Sequence, residues 1–239
     1  MTKTTPNKSL IILSGPSCAG KTPLLQALKK NFPDIVFGTL VLYTSRSPRP
    51  GEKEGRDFHF RPQEEIRALS TERFIIAPVR HLWQAVDLDE VKKVFQKNNL
   101  IIVEMHPTLA ALFQNHPQVK KLTQHYLVKT VFLSPLTDQE IENLQRSMGF
   151  ASPEETVAAV MAPKLIARSL QQGKLMTPAE LEDIRIRVAK AYEEIQIGKS
   201  YSHFLVNHDN EDSLHWKFTP PIGEAGETLE QFVRIILNE

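Results

Sequence analysis

The chain has 239 residues, enough for one large α/β domain or two small ones around a sizeable core. Its formal net charge of +1 provides no global attraction to nucleic acid or to a membrane surface, and no apolar run is long enough for a membrane span or a signal peptide. A single cysteine excludes an internal disulfide, so the expectation is a cytoplasmic protein in a reducing compartment.

Residues 1–8 are polar, and residues 9–14 then read as a buried strand. It feeds Gly15-Pro16-Ser17-Cys18-Ala19-Gly20-Lys21-Thr22, which fits G-x-x-x-x-G-K-[ST], and a helix opens through Pro23 to Leu28. This is a phosphate-binding loop in its required strand–loop–helix setting. The glycines let consecutive backbone N–H groups turn toward a phosphate chain, and the helix adds its positive N-terminal end. Lys21 is placed to reach the β- and γ-phosphates of a nucleoside triphosphate, and the Thr22 hydroxyl to sit on Mg²⁺. Pro23 is compatible with a first helical turn, where no intrahelical N–H bond is lost. Cys18 reads either as a small residue filling a tight loop or as a thiol made reactive near a helix N-terminus.

Residues 36–41 are a β-branched and aromatic run, and residues 43–60 are too rich in Pro, Gly and charge for a helix or a central strand. That segment is either a solvated hairpin or a functional loop. In the functional reading, Pro48 and Pro50 hold Arg46 and Arg49 at a fixed separation, which suits guanidinium forks meeting a phosphate. Residues 62–69 read as a short acidic helix, 74–77 as a strand, and 88–95 as a helix with Leu88, Val91, Val94 and Phe95 on one face. Residues 100–104 form a buried strand ending in Glu104, either a site carboxylate at a strand end or a cap for the helix that follows.

Residues 129–133 are a further strand. Thr137 with Glu140 makes a capping box for the next helix, and two more helix starts stand at Ser152-Pro153-Glu154-Glu155 and Thr177-Pro178-Ala179-Glu180. In the last of these helices Leu181, Ile184, Val188, Ala191 and Ile195 form an apolar stripe. Residues 204–209 are the final strand, residues 210–224 a polar loop, and residues 227–237 a closing helix. The histidines lack metal-ligand spacing, and Lys120-Lys121 is too small a basic patch for nucleic acid.

Two motifs in this order, the phosphate loop and Tyr43 to Phe60 with Arg46, Pro48, Arg49, Gly51, Glu52, Gly55, Asp57 and Phe60, resemble the guanylate kinase family. The resemblance implies an α/β fold of the P-loop NTPase type, three layers around a central parallel sheet, with acceptor-binding and lid subregions. It implies one domain over 1–239: a core of 8–42, 98–135 and 200–239, an acceptor-binding region 43–97, and a lid 136–199 in which 149–176 is an insertion. ATP with Mg²⁺ would bind on residues 15–23, with Asn207 near the adenine. The acceptor would bind on Arg46, Arg49, Phe58, Trp83 and Glu104, and Arg187 and Arg146 would be the lid arginines that stabilise the phosphoryl group in transfer.

The chain departs from the family where guanine is read. Leu42 stands for a polar residue, Phe58 for a tyrosine, Ile76 for a glutamate, and Trp83-Gln84-Ala85 loosely for Tyr-Gly-Ser. Apolar groups there discriminate weakly between bases. Trp83 suits either stacking on a base or core packing. The implied activity is ATP-dependent phosphoryl transfer to a phosphate-bearing small molecule, a guanine or other nucleotide or a sugar phosphate. The alternative is a binding module for a phosphorylated partner.

Overall fold

The computed structural model describes residues 8–238; the polar opening, residues 1–7, lies outside the described residues. Strand β1 (Ser9–Ser14) is buried at every position, as its unbroken apolar run requires of a strand covered on both faces. Helix α1 (Lys21–Asn31) follows the glycine loop. Next come β2 (Tyr43–Thr44), β3 (His59–Phe60), α2 (Gln63–Arg67), β4 (Phe74–Val79), β5 (Leu82–Asp87), α3 (Leu88–Lys97) and β6 (Leu100–Glu104). The chain continues through α4 (Pro107–Asn115), α5 (Pro117–Thr123), β7 (Leu127–Ser134), α6 (Asp138–Met148), α7 (Pro153–Gln171), α8 (Pro178–Gly198) and β8 (His203–Val206). A 3₁₀ turn at Leu214–Lys217 precedes α9 (Gly223–Leu237).

The central sheet runs in the order β6-β1-β7-β8, with β7 and β8 parallel and Val131 opposite His203. Helical segments separate its strands in sequence, the connection that parallel pairing requires. This is the α/β architecture expected. A second sheet has the order β3-β2-β5-β4. In it β4 and β5 form an antiparallel hairpin across Arg80-His81, with Arg80 at a φ of 58°.

The chain divides into two compact units, described residues 8–12 with 36–129, and 13–35 with 130–238. In the first, Leu10 and Ile12 pack with Leu42, Ile75, Val86, Val91, Val103 and Phe113 in one apolar core. A smaller cluster joins Ile66, Phe74 and Ala85. In the second, Phe132, Ile141, Val157, Met161, Leu165, Ile184 and Ile195 pack together with Cys18.

Local sequence signals decide most helix starts. The Thr137–Glu140 capping box forms in both directions, and Ser152 and Thr177 each accept from the N–H three residues on, with proline at the first helical position. Three features were not specified by the sequence. Residues 36–41 make only an isolated bridge, Gly38 to Ile101, and Val36 is exposed, because pairing begins instead at Tyr43. Trp83, Gln84 and Ala85 lie in strand β5, which the loose pattern there did not announce. Helix α4 is capped by His106, which accepts from Thr108 N, so Glu104 is not its cap.

Candidate active site

In the second unit the phosphate loop has the backbone its glycines demand. Gly15 has a φ of 154°, and a Cβ there would collide with the Leu133 carbonyl. Gly20 has a φ of 93°, and a Cβ there would lie 2.6 Å from Asn207 Nδ2. Gly20 is also the N-cap of α1, and it brings no side-chain acceptor; the first turn of α1 carries no carboxylate. The helix N-terminus therefore keeps its anion-attracting end uncompensated. Lys21 is curled over the loop, its Nζ donating to the Gly15 and Pro16 carbonyls at 2.9 Å each. Thr22 is exposed beside it and Pro23 is buried in the first turn, as expected.

Arg187 reaches this loop from α8. Its Nη1 donates to Ser17 Oγ at 3.2 Å and its Nε to Asp183 at 2.7 Å, one turn earlier on the same helix. It is among the few buried charged residues, whereas Arg185 pairs with Glu182 on the exposed face. The two arginines, indistinguishable by composition, are thus sorted by helical phase. The apolar stripe holds at Ile184, Ala191 and Ile195, while Leu181 is exposed. The Tyr201 hydroxyl donates to Ser14 Oγ at 2.9 Å, and burial raises its pKa.

Arg146 is not brought to the loop. Its side chain is 71% exposed and pairs with Glu142 at 3.0 Å along α6. Asn207 is fully buried, and its amide nitrogen donates to the Ala19 carbonyl at 2.9 Å and to Asp209 O at 2.8 Å. It holds the loop from behind rather than presenting that nitrogen to a base. Its Oδ1 is buried without a hydrogen-bond partner. Cys18 takes a φ of 65°, unusual for a residue with a Cβ. Its side chain is buried against α7, with Sγ 3.8 Å from the Lys164 carbonyl that accepts its S–H, in line with the packing reading of this residue.

In the first unit, the segment between β2 and β3 is braced by carboxylates. Glu52 takes the Arg46 fork at 2.6 Å on both oxygens and also accepts the Arg49 backbone N–H at 2.8 Å. Burial pushes the Glu52 pKa up, but the Arg46 hydrogen bond and the Arg49 amide outweigh it and the net shift is downward. Phe58 and Phe60 flank the Arg46 guanidinium at 4.8 and 5.6 Å. Glu54 accepts from Phe60 N and contacts His59 and Arg61, which holds its carboxyl at about 2. The loop is held in a defined conformation by these carboxylates while much of residues 47–56 stays exposed.

Trp83 packs on the Ile66, Phe74 and Ala85 cluster, and Arg67 covers its ring at 5.3 Å. Its ring is half-buried at the edge of that cluster. Glu104 ends β6 half-buried. Leu42 and Ala85 are buried and Ile76 pairs with Ala85 across β4 and β5, so these positions supply packing where the family pattern has polar groups. Glu52 and Asp183, which orient Arg46 and Arg187, were not assigned from the sequence. The i,i+4 spacing of Asp183 and Arg187 was the available signal.

A glycine loop on a buried strand, a helix N-terminus without competing carboxylates, and Lys21 and Arg187 on the loop suit a polyphosphate with Mg²⁺, with Thr22 as its protein ligand. Among the described residues no cluster of three or more His, Cys, Asp or Glu side chains could hold a metal by itself, and no helix is long and apolar enough to cross a membrane.

Fold and loop together define a P-loop α/β protein. A family model described as guanylate kinase matches residues 7–195. The guanylate kinase of Wolinella succinogenes is 25% identical over 207 residues, 86% of this chain and 79% of its own length; that of Mycoplasma mobile is 28% identical over 202 residues, 83% and 85%. The crystal structure of guanylate kinase from Anaplasma phagocytophilum shares the fold, with a TM-score of 0.56 at 19% identity, covering 98% of this chain and 87% of that one. The chain belongs to the guanylate kinase family.

Proposed function

We propose that this protein transfers the γ-phosphoryl group of ATP to the phosphate of a nucleoside monophosphate, with GMP the first acceptor to try. Family membership supports the reaction class. The observation that carries the reading on this chain's own residues is Arg187 lying on Ser17 of an intact phosphate loop over which Lys21 is also curled.

The roles follow from the chemistry of each group. The loop amides of residues 15–22 and the N-terminus of α1 bind the donor phosphates. The exposed Thr22 hydroxyl would hold Mg²⁺, whose charge would neutralise the phosphates when bound. Lys21 exchanges its two carbonyl partners for phosphate oxygens, so its charge is available without a large side-chain rearrangement. Arg187, already desolvated and held by Asp183, stabilises negative charge that develops on the phosphoryl oxygens. Such a group costs little reorganisation during the reaction. Asn207 fixes the loop from behind through its amide nitrogen, and its Oδ1 is buried away from any base in this conformation. Arg46 and Arg49 bind the acceptor phosphate, with Glu52 setting their geometry. Phe58 lines that site through its ring, and Glu104, the half-buried carboxylate at the end of β6, would orient the acceptor. Catalysis is positioning and charge stabilisation, with no covalent intermediate on the protein.

The apolar character of Leu42, Ile76 and Ala85 supports weak discrimination among bases. Incubating the protein with ATP, Mg²⁺ and each nucleoside monophosphate in turn, and resolving products by ³¹P NMR, tests the reading. A nucleoside diphosphate made from the acceptor is expected. ADP and inorganic phosphate alone, with every acceptor unchanged, would contradict it.

A further inference from the structure

Helix α7 falls in the stretch that reads as an insertion, and it packs directly on the phosphate loop. Thr156, Val157, Met161, Leu165, Arg168 and Ser169 are its buried residues, and Cys18 joins Val157, Met161 and Leu165 in one cluster. Cys18 donates to the Lys164 carbonyl, and Lys164 Nζ donates to the His208 carbonyl at 2.9 Å. One turn further along the same face, Arg168 pairs through Nη1 with Glu211 at 3.0 Å. Arg168 is only 5% exposed, and its Nε is buried with no hydrogen-bond partner.

A helix that only had to brace the loop would not need this charge. Replacing a buried ion pair by apolar side chains of similar size is often neutral or stabilising. The apolar residues of the same helix, Val157, Met161 and Leu165, already supply such packing against the loop. What a cation adds at this place is positive charge close to the loop, since Arg168 lies one turn along α7 from Lys164, whose carbonyl is 3.8 Å from Cys18 Sγ.

We propose that Arg168, assisted by Lys164, is a donor-site positioning residue: its charge, carried in on α7, favours a nucleoside di- or triphosphate on the loop bearing Cys18. The assignment rests on the donor reading given above. Glu211 sets the strength of this charge by partial neutralisation, so the two partners act on donor binding with opposite signs. A purely structural ion pair lacks that property, since removing either half would weaken the site alike.

The test uses the full chain and ADP as the probe, with affinity measured by calorimetry at low and high salt. The Arg168→Met, Glu211→Gln double variant leaves no buried unpaired charge, and its Tm is expected at or above that of the wild type. Its Kd for ADP is expected to rise about tenfold at low salt and less at high salt, with KM for ATP following and KM for the acceptor unchanged. Arg168→Lys recovers most of the affinity. Glu211→Gln alone tightens ADP binding about threefold, because a compensating carboxylate is removed. Lys164→Gln, at a less buried position, weakens ADP binding in the same direction as the double variant. Unchanged ADP affinity in a folded double variant, or weaker binding in Glu211→Gln, overturns the proposal while leaving the donor reading intact. Failure of the wild type to bind ADP overturns the donor reading itself.

Discussion

Arg187 Nη1 donates to Ser17 Oγ at 3.2 Å, while Asp183 holds the Nε of the same guanidinium at 2.7 Å. An arginine of α8 is thereby held on the phosphate loop, and in the proposed reaction it would face the charge that develops on the transferred phosphoryl group. Arg187→Ala is expected to lower kcat by about 10²- to 10³-fold, the cost of removing one preorganised donor to developing charge. The acceptor KM should change little. Steady-state kinetics with both substrates varied checks this; an unaltered kcat would remove Arg187 from the chemistry.

Lys21 spends its charge on two loop carbonyls. Lys21→Ala should abolish measurable turnover while leaving the fold intact, because its two hydrogen bonds are local to the loop. Thermal melting and ADP formation are read together, and turnover at the wild-type rate would make the loop irrelevant to catalysis.

Glu52 ties Arg46 to the Arg49 backbone. Glu52→Gln keeps the shape and loses the ion pair, so the fork is no longer held in one geometry. The acceptor KM should rise about tenfold with KM for ATP unchanged, as for loss of a charge-assisted bidentate contact. Equal shifts in both KM values would point to a general loss of structure instead.

Asn207 is the buried link between the loop and the residues after β8. Asn207→Ala leaves the Ala19 and Asp209 carbonyls without that donor, and a loss of about 1–3 kcal/mol in stability is expected from urea denaturation. A change below a few tenths would mean that water replaces the amide fully.

His208 lies between Glu224, 2.7 Å from Nδ1, and Glu140, 2.8 Å from Nε2. Burial depresses its pKa, but the hydrogen bonds to the two carboxylates outweigh it, and the net shift is upward. A raised folded-state pKa stabilises the protonated form. The contribution is therefore complete below the unfolded value of about 6.5 and is lost as pH rises through the folded value. The stability difference between wild type and His208→Gln should be largest near pH 6 and shrink toward alkaline pH. A difference that grew with pH would reverse the assignment.

What the sequence disclosed was local. The loop from Gly15 to Thr22 needs its glycines whatever surrounds it, and the caps at Thr137, Ser152 and Thr177 depend on residues three apart, so spacing alone sufficed. The α/β fold was implied by the resemblance to the guanylate kinase family, and buried runs such as β1 agree with it. Contacts between distant segments were not legible. Arg146 sits in a helix whose exposed phase sends it to solvent, Asn207 turns inward onto Ala19, and Trp83 is half-buried in a hairpin that a two-residue turn closes without an Asn-Gly signal. Cys18 against Lys164 spans 146 positions, which no local pattern encodes.

The most direct test of the central claim is acceptor-dependent ADP release from ATP and Mg²⁺, followed continuously with GMP and with each other nucleoside monophosphate. Release that rises with GMP, saturates, and exceeds the acceptor-free rate by orders of magnitude is the predicted result. A rate that no nucleoside monophosphate increases, from protein that melts cooperatively, would contradict it.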